Sequence, residues 1–225
     1  MLGRRRGYGT EYVAPHNHPL TLLGTGLLWF GWFGFNGGNA LGANAIAVGA
    51  VVATHLAAAT AALTWMVVEW LHRGKPTLLG VISGAVVGMA SITPEAGFVG
   101  SMWAILIGLT AGVFSYVVIV WKGKIGYDDT LDVVGIHGIG GIVGMLAVGL
   151  FASKAINPAG GDGLFFGNPA QFGIQAMTVF AAVLFSFIGT YMVLKLVDDL
   201  VGLRVSPEEE AVGLDLSQHN ERGYS

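Results

Sequence analysis

Cysteine is absent from the 225 residues, which excludes disulfides and thiolate metal sites. Charge is scarce as well. Asp, Glu, Lys and Arg make up 11% of the chain, against roughly 25% in ordinary soluble domains. The net charge of −3 carries no signature of a nucleic-acid partner. Residues 1–19 hold no apolar core, so no signal peptide is read there. What remains is apolar or small. Hydrophobic residues reach 53%, and Gly alone accounts for 36 positions. Large apolar groups mixed with many Gly suit closely packed membrane helices.

A bilayer core takes about 20 apolar residues as a helix. Six stretches meet or approach that length: 20–36, 46–70, 77–93, 99–121, 133–153 and 171–197. Backbone amides in hydrocarbon must pair within their own segment, which leaves helix as the reading for stretches this long. Membrane strands would be about half the length and would alternate apolar with polar. The sequence therefore predicts an all-α polytopic bundle of six spans. A loop (1–19) precedes it and a tail (198–225) follows.

The basic residues sort by side of the membrane. Arg4, Arg5 and Arg6 precede the first span, Arg73 and Lys75 follow the second, and Lys122 and Lys124 follow the fourth. Lys195, Arg204 and Arg222 close or follow the sixth, leaving only Lys154 on the opposite face. The positive-inside bias makes the crowded face cytoplasmic, with both ends of the chain on it, and predicts a plasma-membrane protein. Gly80, Gly84 and Gly88 recur every four residues, as do the pairs Gly108 and Gly112, and Gly140 and Gly144. Such rows predict close helix–helix approach. The acidic tail carries Glu208, Glu209, Glu210, Asp215 and Glu221, and reads either as a solvated extension or as a docking segment.

Few residues in the spans can carry chemistry. His137 lies inside the fifth, in VVGIHGIGGIVG. An ionisable group at that depth marks a pathway or relay, or else a neutral core His bonded to a neighbouring helix. Asp129 and Asp132, at the start of the same helix, read first as N-terminal caps and second as cation attractors. Trp32, Phe33, Phe35 and Asn36 sit among Gly31, Gly34, Gly37 and Gly38. That setting leaves open an interface anchor and an aromatic gate that holds a cation against ring faces. His55 reads as a core His. His16 with His18 makes a poor metal pair without further ligands. Glu69 and Arg73, four apart, read as a local ion pair. No nucleophile accompanies His137, and Asp132 lies almost half a turn off its face, so an enzyme has no support.

Several strings together resemble the Amt/Rh ammonium transporter family. They are GWFGFNGGN (31–39), EWLHRGKPTLLG (69–80), SITPEAGFVG (91–100), DVVGIHGIGGIVG (132–144) and GLRVSPEEEAVGLDLSQHNERGY (202–224). The likeness runs from about Gly3 almost to the end and sits nearer the bacterial and archaeal Amt branch than the Rh branch. It implies a homotrimer of eleven-helix subunits, each with its own pore and built on two inverted five-helix repeats. The six spans then look like the second repeat and the final helix, so half of the channel. By that resemblance His137 is the second pore histidine, Phe35 one of two gate phenylalanines and Trp32 a pore-flanking tryptophan. Val133 lines the pore, and Asp129 and Asp132 stand at its inner end. The tail resembles the segment that couples subunits and meets PII-type signalling proteins.

Two positions depart from the pattern. Asn39 stands where many members place a Ser that recruits ammonium, and Asn can still accept from an N–H donor. Glu95 replaces a small residue, and is expected to draw cations at the outer face or to face water. The expected function is ammonium or ammonia transport with no cofactor. An ammonium sensor that docks partners, or a truncated fragment without function, is the alternative.

Overall fold

The computed structural model describes residues 1–11 and 14–223. Tyr12 and Val13, within the expected N-terminal loop, and Tyr224 and Ser225, at the end of the expected tail, lie outside the described residues. Helices account for all the regular structure described. They are α1 (His18–Gly38), α2 (Ala45–Arg73), α3 (Leu78–Ile92), α4 (Ser101–Ile125), a π-helical turn (Val134–Ile139) running into α5 (Gly140–Phe151), α6 (Pro169–Val201), α7 (Pro207–Val212) and α8 (Leu214–His219). A short 3-10 turn, Leu164–Phe166, precedes α6.

The helix starts follow from local chemistry. The Asn17 side chain accepts from the Leu20 N–H at 2.9 Å, and Asn44 accepts from Ala47 at 3.0 Å. Thr77 accepts from Gly80 at 3.0 Å. Each satisfies a first-turn donor that has no partner inside the helix. At the other end of α2, Gly74 takes a left-handed conformation (φ 78°) that stops the helix. Among the described residues, α2, α4, the π turn with α5, and α6 are long and apolar enough to cross a membrane. The apolar α3 spans fifteen residues.

The described residues form two compact units. The larger comprises Pro15–Ile125 and Asp129–Phe180, the smaller Met1–Ala14, Gly126–Asp128 and Ala181–Ser225. In the larger unit α2 is the centre. Ala50, Ala53, Ala57, Ala58 and Ala61 lie along it at no more than 1% exposure. The Gly rows of α3 and α4 close on this stripe. A methyl group built on Gly84 would sit 2.8 Å from the Ala61 carbonyl oxygen. One on Gly88 or on Gly108 would overlap the Ala57 carbonyl oxygen outright. Gly144 of α5 meets the Ser91 carbonyl of α3 equally closely. Only a hydrogen fits at these four positions, so the backbones lie in van der Waals contact. Around them pack Ile92, Val99, Ile107 and Phe151, and further along Trp65, Val87, Tyr116 and Ile136.

In the smaller unit, polar contacts tie the start of the chain to the segment at 127–128. Arg5 pairs with Asp128 at 2.9 Å, and the Tyr8 hydroxyl donates to the Tyr127 carbonyl at 2.8 Å. Ser206 opens α7 with a reciprocal capping box to Glu209.

Substituting Val for Gly88 or Gly108 should lower the thermal midpoint in detergent, with a cost of about 1–3 kcal/mol each from overpacking. Gly189→Ala on α6, where nothing lies within 4 Å of the added carbon, should not. Thermal scans of the three variants test this.

Candidate functional site

His137 sits in the middle of the π turn. A π turn inserts an extra residue into the helical ladder and re-aims the side chains around it. The turn packs tightly on α4, because a Cβ on Gly135 would overlap the Ile119 side chain. The His137 side chain is exposed at the surface of this chain. Among the described residues it makes no hydrogen bond, ion pair or ring contact. Val133, one turn earlier, is 47% exposed.

The two acidic residues ahead of the turn divide the work. The Asp129 carboxylate accepts from the N–H groups of Val133 (3.1 Å) and Val134 (3.0 Å), so it is the cap. Asp132 takes a left-handed backbone (φ 56°) and pairs instead with the Lys122 ammonium on α4. Lys122 also donates to the Asp129 carbonyl, so α4 and the start of the π turn are tied through one ammonium.

The aromatic cluster forms at the far end of α1. Phe35 is 60% exposed, and its ring meets Trp32 edge-on at 6.2 Å. Trp32 is anchored in turn, since its indole N–H donates to Thr93 Oγ1 at 2.8 Å and that hydroxyl donates to the Met89 carbonyl at 2.8 Å. Asn36 points inward and donates to Thr54 of α2 at 2.9 Å. Asn39 donates its amide to the Phe35 carbonyl at 2.9 Å, closing α1. Nothing in the sequence announces the Trp32–Thr93 bond, which joins residues far apart in the chain.

Two expectations are corrected. His55 is not a core residue, because its side chain is exposed and its ring lies 5.5 Å from Trp29 and 6.1 Å from Phe33. Glu95 neither faces water nor stands ready for a cation outside. It is 0% exposed, because the turn after α3 folds it inward. The Glu69–Arg73 ion pair is present at 3.6 Å, and Glu69 also accepts from the Thr77 N–H at 3.0 Å. No group of three or more ligating side chains that could hold a metal gathers among the described residues.

The tail uses its charge locally. Arg204 pairs with Glu210 at 2.7 Å and donates to the Leu2 and Arg4 carbonyls at 2.9 and 2.7 Å. Glu210 also accepts from the Arg6 backbone N–H at 3.0 Å. That N–H, together with the Arg204 guanidinium, holds the partly exposed Glu210 carboxyl below the usual range.

Apolar helices packed through Gly, with an ionisable imidazole carried on one of them, define a multi-pass helical membrane protein. The comparisons are specific within that class. The model of the Ammonium Transporter Family matches residues 1–224. The ammonium transporter Amt1 of Archaeoglobus fulgidus is 50% identical over 224 residues, covering 100% of this chain and 56% of that protein. An ammonium transporter of Aquifex aeolicus is 51% identical, with 100% and 52% covered. The crystal structure of Saccharomyces cerevisiae Mep2 superposes with a TM-score of 0.83 at 34% identity, covering 91% of this chain and 48% of that one. A structure titled Sensor Amt Protein reaches a TM-score of 0.85 at 30% identity, with 96% and 52% covered. The chain belongs to the ammonium transporter family, whose members are membrane transporters and not enzymes. It spans about half the length of these relatives.

A carboxylate with depressed proton affinity stabilises its contacts above the ordinary Glu range, and that contribution is lost as pH falls through the depressed value. Acidification through that window should therefore release the Arg204–Glu210 contact, and Glu210→Gln should release it at neutral pH. Limited proteolysis of the tail should then speed up in both cases.

Proposed function

We propose that this chain forms the C-terminal half of an ammonium channel: the second inverted repeat, the final helix and a cytoplasmic tail. The six segments α1 to α6, the π turn counted with α5, cross the plasma membrane, with both ends of the chain inside. A complementary five-helix half completes the pore, and three such subunits assemble as a homotrimer. The supporting observation is the state of His137. It is an imidazole in an apolar helix, exposed and without a partner among the described residues. In a bilayer that exposure is costly against lipid, so the ring calls for a lumen or a facing protein group.

The chemistry follows from solvation. Burying an unpaired ammonium ion costs tens of kcal/mol in the idealised limit. Removing its proton at neutral pH, about two units below its pKa, costs roughly 3 kcal/mol. Deprotonation at the mouth is the cheaper route. Phe35 and Trp32 would hold the cation against ring faces there before the proton leaves, and Asn39 would recruit it. Neutral ammonia then hydrogen-bonds to His137, which both donates and accepts and so relays the proton, and afterwards passes Val133, one turn nearer the inner end. Asp129 and Asp132 stand at the inner end, where they shape the start of the π turn. On the cytoplasmic face the ordered tail offers a surface for a PII-type signalling protein.

Expressed with the complementary half of a relative, the chain should carry ammonium-driven current in liposomes, and His137→Ala should abolish it at normal expression. Unchanged current in that variant would remove His137 from the pathway.

A further inference from the structure

Glu95 is the group the transport account does not use. It lies in the connector between α3 and α4, is 0% exposed, and has no hydrogen-bond partner among the described residues for either carboxyl oxygen. The turn that carries it is apolar. Ala96 and Val99 on the same turn pack with Ala50 and Ala53 of α2, Ala104 of α4 and Phe151 of α5. Gly97 faces Ile46 of α2, and the Phe98 ring lies against Gly160. An ionised carboxylate in such a site, with neither donor nor cation, carries a desolvation cost that exceeds what the fold can bear, so the group keeps its proton. Burial alone pushes the Glu95 carboxyl well above its usual range.

The titratable groups on the packed elements do not relieve it. They are His18 on α1, His55, Glu69, His72 and Arg73 on α2, Tyr116, Lys122 and Lys124 on α4, His137 before α5, and Lys154 and Asp162 in the loop after α5. Glu69, Arg73, His72, Tyr116 and Lys122 have other partners, and none of these groups bonds to Glu95.

The connector is coupled to the aromatic cluster. The Glu95 N–H donates to the Ile92 carbonyl at 3.0 Å. Two residues earlier, Thr93 holds the Trp32 indole, which packs on Phe35. We propose that Glu95 is a positioning residue: the α3–α4 connector stays folded inward only while the Glu95 side chain stays buried, and the connector fixes Thr93, Trp32 and Phe35. Ionisation draws the carboxylate toward water and loosens that line. A carboxyl that binds its proton more tightly when folded favours the fold at low pH, and loses that contribution as pH rises through the folded value. The device weakens the aromatic cluster on the alkaline side.

The inference rests on reading Trp32 and Phe35 as gate residues, but its test needs no transport. The full chain, carrying isotope-labelled glutamate and reconstituted in liposomes, is titrated by infrared spectroscopy. The C=O stretch of one protonated carboxylic acid should persist above the ordinary Glu range, vanish in Glu95→Gln and shift in Glu95→Asp. Trp emission should change with the same midpoint, and the change should be absent from Glu95→Gln and from Trp32→Phe. A spectrum with no such band at neutral pH overturns the proposal, with or without folded variants. So does a band that survives in Glu95→Gln, or a Trp change that does. Loss of current in the assembled channel with the Glu95 signals intact would count against the transport reading alone.

Discussion

The contact between the Ala stripe of α2 and the Gly rows of α3 and α4 sets the rest of the structure. Helices in hydrocarbon gain nothing from apolar burial, because lipid tails are as apolar as Leu. What holds them is close packing, and close packing needs small residues on both surfaces. Ala57 meets Gly88 on one side and Gly108 on the other, with no room for a methyl group at either. With α2 fixed this way, the ends of α1, α3 and α5 have little freedom. Asn36 reaches Thr54, Trp32 reaches Thr93, and Gly144 nests on Ser91.

The same packing leaves a contrast. The stripe of α2 is sealed, while α6 has no buried residue at all. The π turn turns its imidazole outward, and Phe35 and Val133 stand half exposed. In a bilayer an uncovered imidazole is a far greater burden than an uncovered Leu. A complementary half would cover both the apolar faces and the polar ring, and this chain spans about half of its relatives. Asp129 and Lys122 matter here because they define where the π turn begins, and so where His137 is carried.

Much of this was legible beforehand. Four of the six apolar stretches fall on helices long and apolar enough to cross a membrane, since length and hydropathy act on each segment by itself. The Gly rows predicted close approach, because four-residue spacing places small residues on one face of a helix. Glu69 with Arg73 was readable for the same reason. Other features depend on distant neighbours and left no local trace. The π turn looks like ordinary helix in sequence. Asp132 resembles a cap, until a left-handed backbone hands it to Lys122. Glu95 reads as a surface carboxylate in a Gly- and Pro-containing turn, and only the fold reveals that the turn points inward. His55 reads as core from its Ala and Thr neighbours, yet it faces outward beside Trp29 and Phe33.

The central claim is that position 137 faces a narrow, protein-lined channel once the complementary half is in place. The absence of native Cys makes this directly measurable, because a spin label on His137→Cys is the only one in the chain. In the reconstituted assembly, the account predicts low accessibility of that label both to oxygen, which partitions into lipid, and to a water-soluble paramagnetic complex. High oxygen accessibility, as at a lipid-facing site, would contradict it, and so would free access from bulk water.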